Sequence, residues 1–126
     1  TELAGLRAGL SVSARDAALG TAPEVSGNGL ELAVSQAIYR VDGLTRRAQA
    51  LQAHPLTVGP RLSLHPDDAG AAGLAQGAMA KVRNAAGTAT LQVNVSDQVA
   101  RGCAWVESGY GATAALAVGN VTVEAA

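Results

Sequence analysis

The sequence predicts a small, mainly β barrel carrying one or two short helices. Three observations lead there. Five or six short runs alternate apolar and polar residues with a period of two, the mark of half-buried strands. One compact helix start, at Pro66, interrupts them. The chain itself, 126 residues of which 48% are hydrophobic and 15% charged, makes one domain that buries roughly two thirds of its unfolded surface without a disulfide or metal.

Before the barrel, residues 1–19 place Leu3, Leu6, Leu10, Ala14, Ala17 and Ala18 at near-helical spacing. Gly5 and Gly9 weaken that helix by up to ~1 kcal/mol each relative to Ala. The segment reads as a helix left over from a preceding domain. Residues 20–29 cluster Gly, Pro, Ser and Asn and read as a linker, which leaves 30–126 as the barrel domain. The chain starts at Thr1 rather than Met, which fits a segment excised from a longer polypeptide.

From Leu30 the period is two. Leu30, Leu32, Val34 and Ile38 fall on one strand face, with Glu31 and Ser35 on the other. A more polar stretch, Tyr39–Gln52, leads into a second apolar run around Leu56–Leu64. A short helix then spans Pro66–Ala72: Pro66 suits the first helical position, Asp67 and Asp68 complement the positive end of the macrodipole, and Gly73 suits the residue beyond the end. His65 is expected at the N-cap. Next comes a hairpin. Ala80 and Val82 alternate with Lys81 and Arg83, Asn84–Gly87 turns, and Ala89, Leu91, Val93 and Val95 share one face of the return strand. Asp97–Gly102 reads as a loop, Cys103–Glu107 as a strand, Thr113–Val118 as a helical turn and Val121–Glu124 as a final strand.

Composition excludes several functions. Low hydrophobicity with high net charge would mark disorder, and this chain has neither. Nine Lys and Arg against ten Asp and Glu leave no electrostatic footprint for nucleic acid. No apolar run approaches the ~20 residues of a membrane span, and residues 1–20 lack the uninterrupted apolar core of a signal peptide, so the chain reads as a soluble domain. One cysteine, Cys103, cannot form an intrachain disulfide, an iron–sulfur site or a structural zinc site; it reads as a small core residue. There is no Phe, so Leu, Val, Ile and Ala must fill the core. The excess of Ala, Gly and Arg reads as codon bias.

Few residues offer chemistry. His54 and His65 stand eleven positions apart with no metal-ligand spacing around them. Asp67 and Asp68 need no cation, since the helix dipole explains them. No G-x-S-x-G elbow is present, and Gly27-Asn28-Gly29 lacks the rest of a dinucleotide fingerprint. Two segments stay open. Ser108-Gly109-Tyr110-Gly111 is either a turn between strands, the commoner use of such residues, or a loop whose backbone N–H groups approach a phosphate or carbonyl. Arg46 and Arg47, with Arg40 nearby, form either a solvated loop or a surface that pairs with a partner's carboxylates or with phosphates.

The run from Leu62 to Gly77, LSLHPDDAGAAGLAQG, resembles the start of the C-terminal domain of molybdopterin-dependent oxidoreductases, and the hairpin, loop and Trp105 strand follow in that domain's order. The resemblance implies a double-psi β-barrel, like that of aspartate decarboxylase. In those enzymes the domain helps hold the guanosine parts of the pterin cofactor. Within the superfamily, Tyr39–Gln52 is similar to the "Y-x-x-D-x-x-x-R-R-A-x-x-L-Q" stretch of the molybdopterin-like, iron–sulfur-carrying subunit of bacterial NADH-quinone oxidoreductase (respiratory complex I). Thr113–Val123 looks like the end of the same polypeptide. Ala78 departs from the family's acid after Gly77 and alters the expected turn.

The complex I resemblance implies a non-catalytic structural domain of an assembly that carries electrons from NADH to quinone. It implies no catalytic residue, metal ligand or cofactor here, with iron–sulfur clusters elsewhere in the parent chain. Arg40, Arg46 and Arg47 would then contact the rest of the parent chain or other peripheral-arm subunits, on the cytoplasmic side of the bacterial inner membrane. The alternative is a domain that binds molybdopterin guanine dinucleotide in a molybdenum or tungsten oxidoreductase, with Ser108, Gly109, Tyr110 and Gly111 approaching the cofactor.

Overall fold

The computed structural model describes residues 29–126. The helix expected over 1–19 and nearly all of the linker expected over 20–29 lie outside the described residues. Six strands, β1 (Leu30–Gln36), β2 (Arg61–Leu64), β3 (Met79–Arg83), β4 (Thr88–Val95), β5 (Cys103–Ser108) and β6 (Gly119–Ala125), close into one barrel in the order β1-β5-β2-β4-β3-β6. The pairs β1–β5 and β2–β4 are parallel; β1–β6, β2–β5, β3–β4 and β3–β6 are antiparallel. Two short helices, α1 (Gln49–Gln52) and α2 (Pro66–Ala71), and three 3-10 turns complete it. No helix among the described residues is long and apolar enough to cross a membrane.

The β3–β4 hairpin forms as its alternation predicts. Ala80 and Val82 pair with Leu91 and Ala89 across the ladder, and with Val93 all five side chains are buried. The turn is held by Asn84, whose Oδ1 accepts from the backbone N–H groups of Ala86 and Gly87. Gly87 is obligatory for packing. A Cβ there would stand 2.7 Å from the carbonyl oxygen of Ala115, which no real side chain tolerates. β2, flanked by a parallel and an antiparallel partner, is buried at Leu62, Ser63 and Leu64, as strands covered on both faces are. The one polar group of that trio, the Ser63 hydroxyl, accepts from Asn94 Nδ2 at 3.1 Å.

α2 begins and ends on its expected signals. The Nδ1 of His65 accepts from the Asp67 backbone N–H at 3.1 Å, Pro66 holds N1, and Gly73 takes φ +67° just past the last turn. The two acids also act on the next loop. Asp68 Oδ2 accepts from the Gly102 backbone N–H at 2.8 Å, and Asp67 pairs with Arg101. The turn before β3 forms despite Ala78, whose N–H donates to Ala75 O while Gly77 supplies φ +80°.

Three expectations are corrected. β1 stops at Gln36, so Ile38 lies in a 3-10 turn and only Leu30 and Leu32 of its expected face reach the core. The helical turn expected over Thr113–Val118 is a 3-10 turn over Gly111–Thr113. Cys103 is half-buried rather than in the core, because β5 turns Ala104 and Val106 inward. It lines an open outer groove of about 380 Å³ with Ala33, Val99 and Trp105.

Leu62 is fully buried at the centre of this core. Leu62→Ala leaves a cavity among its core neighbours. Chemical denaturation should show a loss of about 2–5 kcal/mol with an unchanged dependence on denaturant.

Candidate functional site

The two segments left open by the sequence meet at one end of the barrel. Residues 38–57, the arm, leave β1 and return to β2 through 3-10 turns over Ile38–Arg40 and Thr45–Arg47 and through α1. None of the residues in these three elements is buried, so polar bonds hold them. Asp42 Oδ1 accepts from the N–H groups of Leu44 and Thr45, both at 2.8 Å, and from the Thr45 hydroxyl. The Thr45 N–H, foremost, holds the Asp42 carboxyl below its ordinary 3.8 against some desolvation, with lesser help from the Thr45 hydroxyl, the Leu44 N–H and the charge of Arg46. Gln52 donates to the carbonyls of Tyr39 and Thr45, each at 2.9 Å. The Tyr39 ring meets His54 edge-on, 5.2 Å between centroids.

Arg40 ties this arm to the β5–β6 connection. Its Nε donates to the Gly109 carbonyl at 3.1 Å, Nη1 donates to Gln52 Oε1 at 2.7 Å, and its guanidinium lies over the Tyr110 ring, 4.6 Å from the centroid. Gly109 permits this approach: it adopts φ +89°, and a Cβ would press on Arg40 Cβ at 3.4 Å. Arg46 Nε donates to the Arg40 carbonyl at 2.8 Å. Arg47 is exposed and makes no side-chain bond among the described residues.

Beside the clamp lies an open cleft of about 390 Å³ lined by Val34, Arg46, Thr113, Ala114, Leu116 and the whole run Ser108–Gly111. The structure thus brings Arg40, Arg46, Ser108, Gly109, Tyr110 and Gly111 to one barrel mouth and leaves Arg47 outside it. The Thr113 hydroxyl, buried here, donates to the Glu107 carbonyl at 2.9 Å. Two buried oxygens, Glu107 Oε2 and the Tyr110 hydroxyl, have no partner among the described residues. Partial burial pushes the Glu107 carboxyl up from its ordinary 4.5. Sequence reasoning missed Asp42, Gln52 and Glu107 as contributors, although Asp42 and Gln52 are spelled out in the arginine-stretch pattern.

His54 and His65 take structural roles, the latter at its helix cap. Among the described residues no three His, Cys, Asp or Glu side chains group as metal ligands.

Two outcomes follow from this geometry. A double-mutant cycle between Arg40→Ala and Tyr110→Leu should give a coupling of about 0.5–2 kcal/mol, the stacking of a half-buried guanidinium on a ring. Folding raises the Glu107 pKa, so the carboxyl favours the fold most below 4.5 and loses that contribution as pH rises through the raised value. Glu107→Gln stays neutral throughout. Its melting temperature should match the wild type below 4.5 and exceed it at neutrality, read by calorimetry across pH.

Comparison with known proteins gives the family. A sequence model of the molydopterin dinucleotide binding domain matches residues 37–126. No curated protein matches the chain. Among solved structures, the rationally designed mkDPBB_sym1 is 16% identical, covering 79% of this chain and 98% of its own with a TM-score of 0.52. The rationally designed apDPBB_sym_79 is 18% identical, covering 80% and 99% with a TM-score of 0.52. Acetylene hydratase from Pelobacter acetylenicus is 22% identical over 65% of this chain and 11% of its own, with a TM-score of 0.46. The two designed barrels show the fold, a double-psi β-barrel. With the family match spanning most of its length, the chain belongs to the molydopterin dinucleotide binding domain family.

Proposed function

We propose that this domain is a non-catalytic barrel that packs within a larger oxidoreductase, in the role of the C-terminal domain of the molybdopterin-like subunit of NADH-quinone oxidoreductase. The observation that carries the reading is the Arg40 clamp. A pterin dinucleotide presents a pyrophosphate, which calls for several free cationic or N–H donors, and aromatic rings, which call for an open face to stack on. Here Arg40 covers the Tyr110 ring and is bonded to Gly109 and Gln52. The Thr113 hydroxyl is committed to the backbone. Among the described residues, Arg46 is the one cationic side chain lining the cleft, with one of its donors already on the Arg40 carbonyl. As these side chains are bonded, the mouth offers the dinucleotide few free side-chain donors and no open ring face, which supports the packing reading.

The pattern positions Asp42, Arg46 and Gln52 each use their side chains to hold the arm, which supports the narrower assignment. In that assignment the parent complex moves electrons from NADH to quinone through iron–sulfur clusters outside this segment, and the domain performs no step of it.

Family membership favours a second reading: a domain that holds the dinucleotide of a molybdenum or tungsten enzyme, with Ser108–Gly111 backbone and Arg46 against it and Arg40 displaced from Tyr110. Metal content of the full native polypeptide, purified from its own cells, separates the two. The packing reading expects iron with neither molybdenum nor tungsten. Stoichiometric molybdenum or tungsten would establish the second reading in its place, and a polypeptide with none of the three metals would overturn both.

A further inference from the structure

The arm holds its apolar side chains outward. Ile38 is 60% exposed, Val41 45%, Leu44 82% and Leu56 61%, and the arm contributes no buried residue from its 3-10 turns or its helix. Exposed leucines on a loose loop need no explanation. Leu44 is different, because its backbone is fixed on both sides. Its N–H donates to Asp42 Oδ1 at 2.8 Å and its carbonyl accepts from the Arg47 N–H at 3.1 Å. A capped turn therefore presents one large apolar side chain to water, with Arg46 and Arg47 in the same turn. Ordering such a turn in isolation costs conformational entropy with no burial to offset it, whereas a partner recovers that cost, since rigid presentation is what strengthens binding.

Charge says what kind of partner. Residues 38–57 contain three arginines and one aspartate, a surplus of two positive charges in a chain of formal net charge −1. The Asp42 carboxylate is turned into its own turn by three donors, and Arg40 is occupied by Gly109, Gln52 and Tyr110. Arg47 and the outer nitrogens of Arg46 remain to face a partner.

The geometry points to the Leu44–Arg47 turn as a preformed docking knob for an acidic protein surface: Leu44 enters an apolar pocket, and Arg46 and Arg47 pair with carboxylates at its rim. An apolar anchor ringed by charge pairs is the usual plan of such a contact. This deepens the packing role proposed above by naming the contacting turn and the chemistry of what it meets. Arg40, also a candidate contact by sequence, is assigned instead to holding the arm in place.

The test is photo-cross-linking in the full native polypeptide, in its own cells, from p-benzoylphenylalanine placed at Leu44. The same group at Thr122, exposed on β6, serves as the control. The expected product joins Leu44 to one polypeptide surface carrying Asp or Glu beside the cross-linked residue. Arg47→Glu should lower its yield by about tenfold, equivalent to about 1.4 kcal/mol, and reversing the partner's carboxylate to lysine should restore it. An unchanged melting temperature for Arg47→Glu confirms that the fold is intact. A yield no higher than at Thr122, a neutral or basic partner surface, a cross-link to residues 1–28, or one to a second copy of this chain would each overturn the proposal. The result does not depend on which metal the polypeptide carries, so the docking turn and the metal assignment can fail separately.

Discussion

The bore of a closed six-stranded barrel is the constraint on which the rest of this structure rests. Barrel diameter grows with strand number, and eight strands already leave an interior that side chains just fill. Six leave less. Among the described residues, the largest fully buried side chains are four leucines, four valines and Ser63, branched or small groups that interdigitate without a ring. A chain with no Phe, and with its few rings at the arm, the mouth and the outer face of β5, is matched to that width. Tyr39 and Tyr110 serve the arm and its clamp, and Trp105 lies on the outer face with its Nε1 donating to Ser35 at 3.0 Å.

A filled bore pushes all recognition to the surface, and the surface here is organised by two different kinds of force. The barrel is held by apolar burial and ladders. The arm is held by hydrogen bonds between Asp42, Thr45, Gln52, Arg40 and backbone carbonyls, with no core of its own. Hydrogen bonds of this type contribute about 0.5–1.5 kcal/mol each, enough together to fix a turn but far from enough to fold one alone. Arg40 is the link between the two regimes, since it joins an arm without a core to a loop that the barrel positions.

Much of the barrel was legible in the sequence because its signals are local. The β3–β4 alternation, the Asn84–Gly87 turn and the caps of α2 each depend on residues a few positions apart, and each forms as read. Ile38 keeps the even spacing of the strand's apolar face across the polar Gln36, but the backbone has left the sheet by then. Cys103 was misplaced because a one-residue shift along a strand reverses the face, and β5's register is set by β1 and β2 rather than by its own pattern. The site was legible only in pieces. The glycine loop and the arginine cluster were both singled out, yet their union through Arg40 and Tyr110 spans 70 positions, beyond any spacing argument. The pattern residues Asp42 and Gln52 read as family markers, and the structure shows the bonds they make.

The pairing of β1 has a consequence for how the domain is made. Glu31 lies beside Cys103, 72 positions later, and Leu30 beside Val121, later still. A ribosome adding about 5–20 residues each second leaves β1 without either neighbour for roughly 4–15 seconds, while the β3–β4 hairpin can assemble as soon as it emerges. The first of the described strands to be synthesised is therefore among the last to be seated. Through that interval Leu30 and Leu32 wait uncovered, a natural client segment for a chaperone at the exit tunnel.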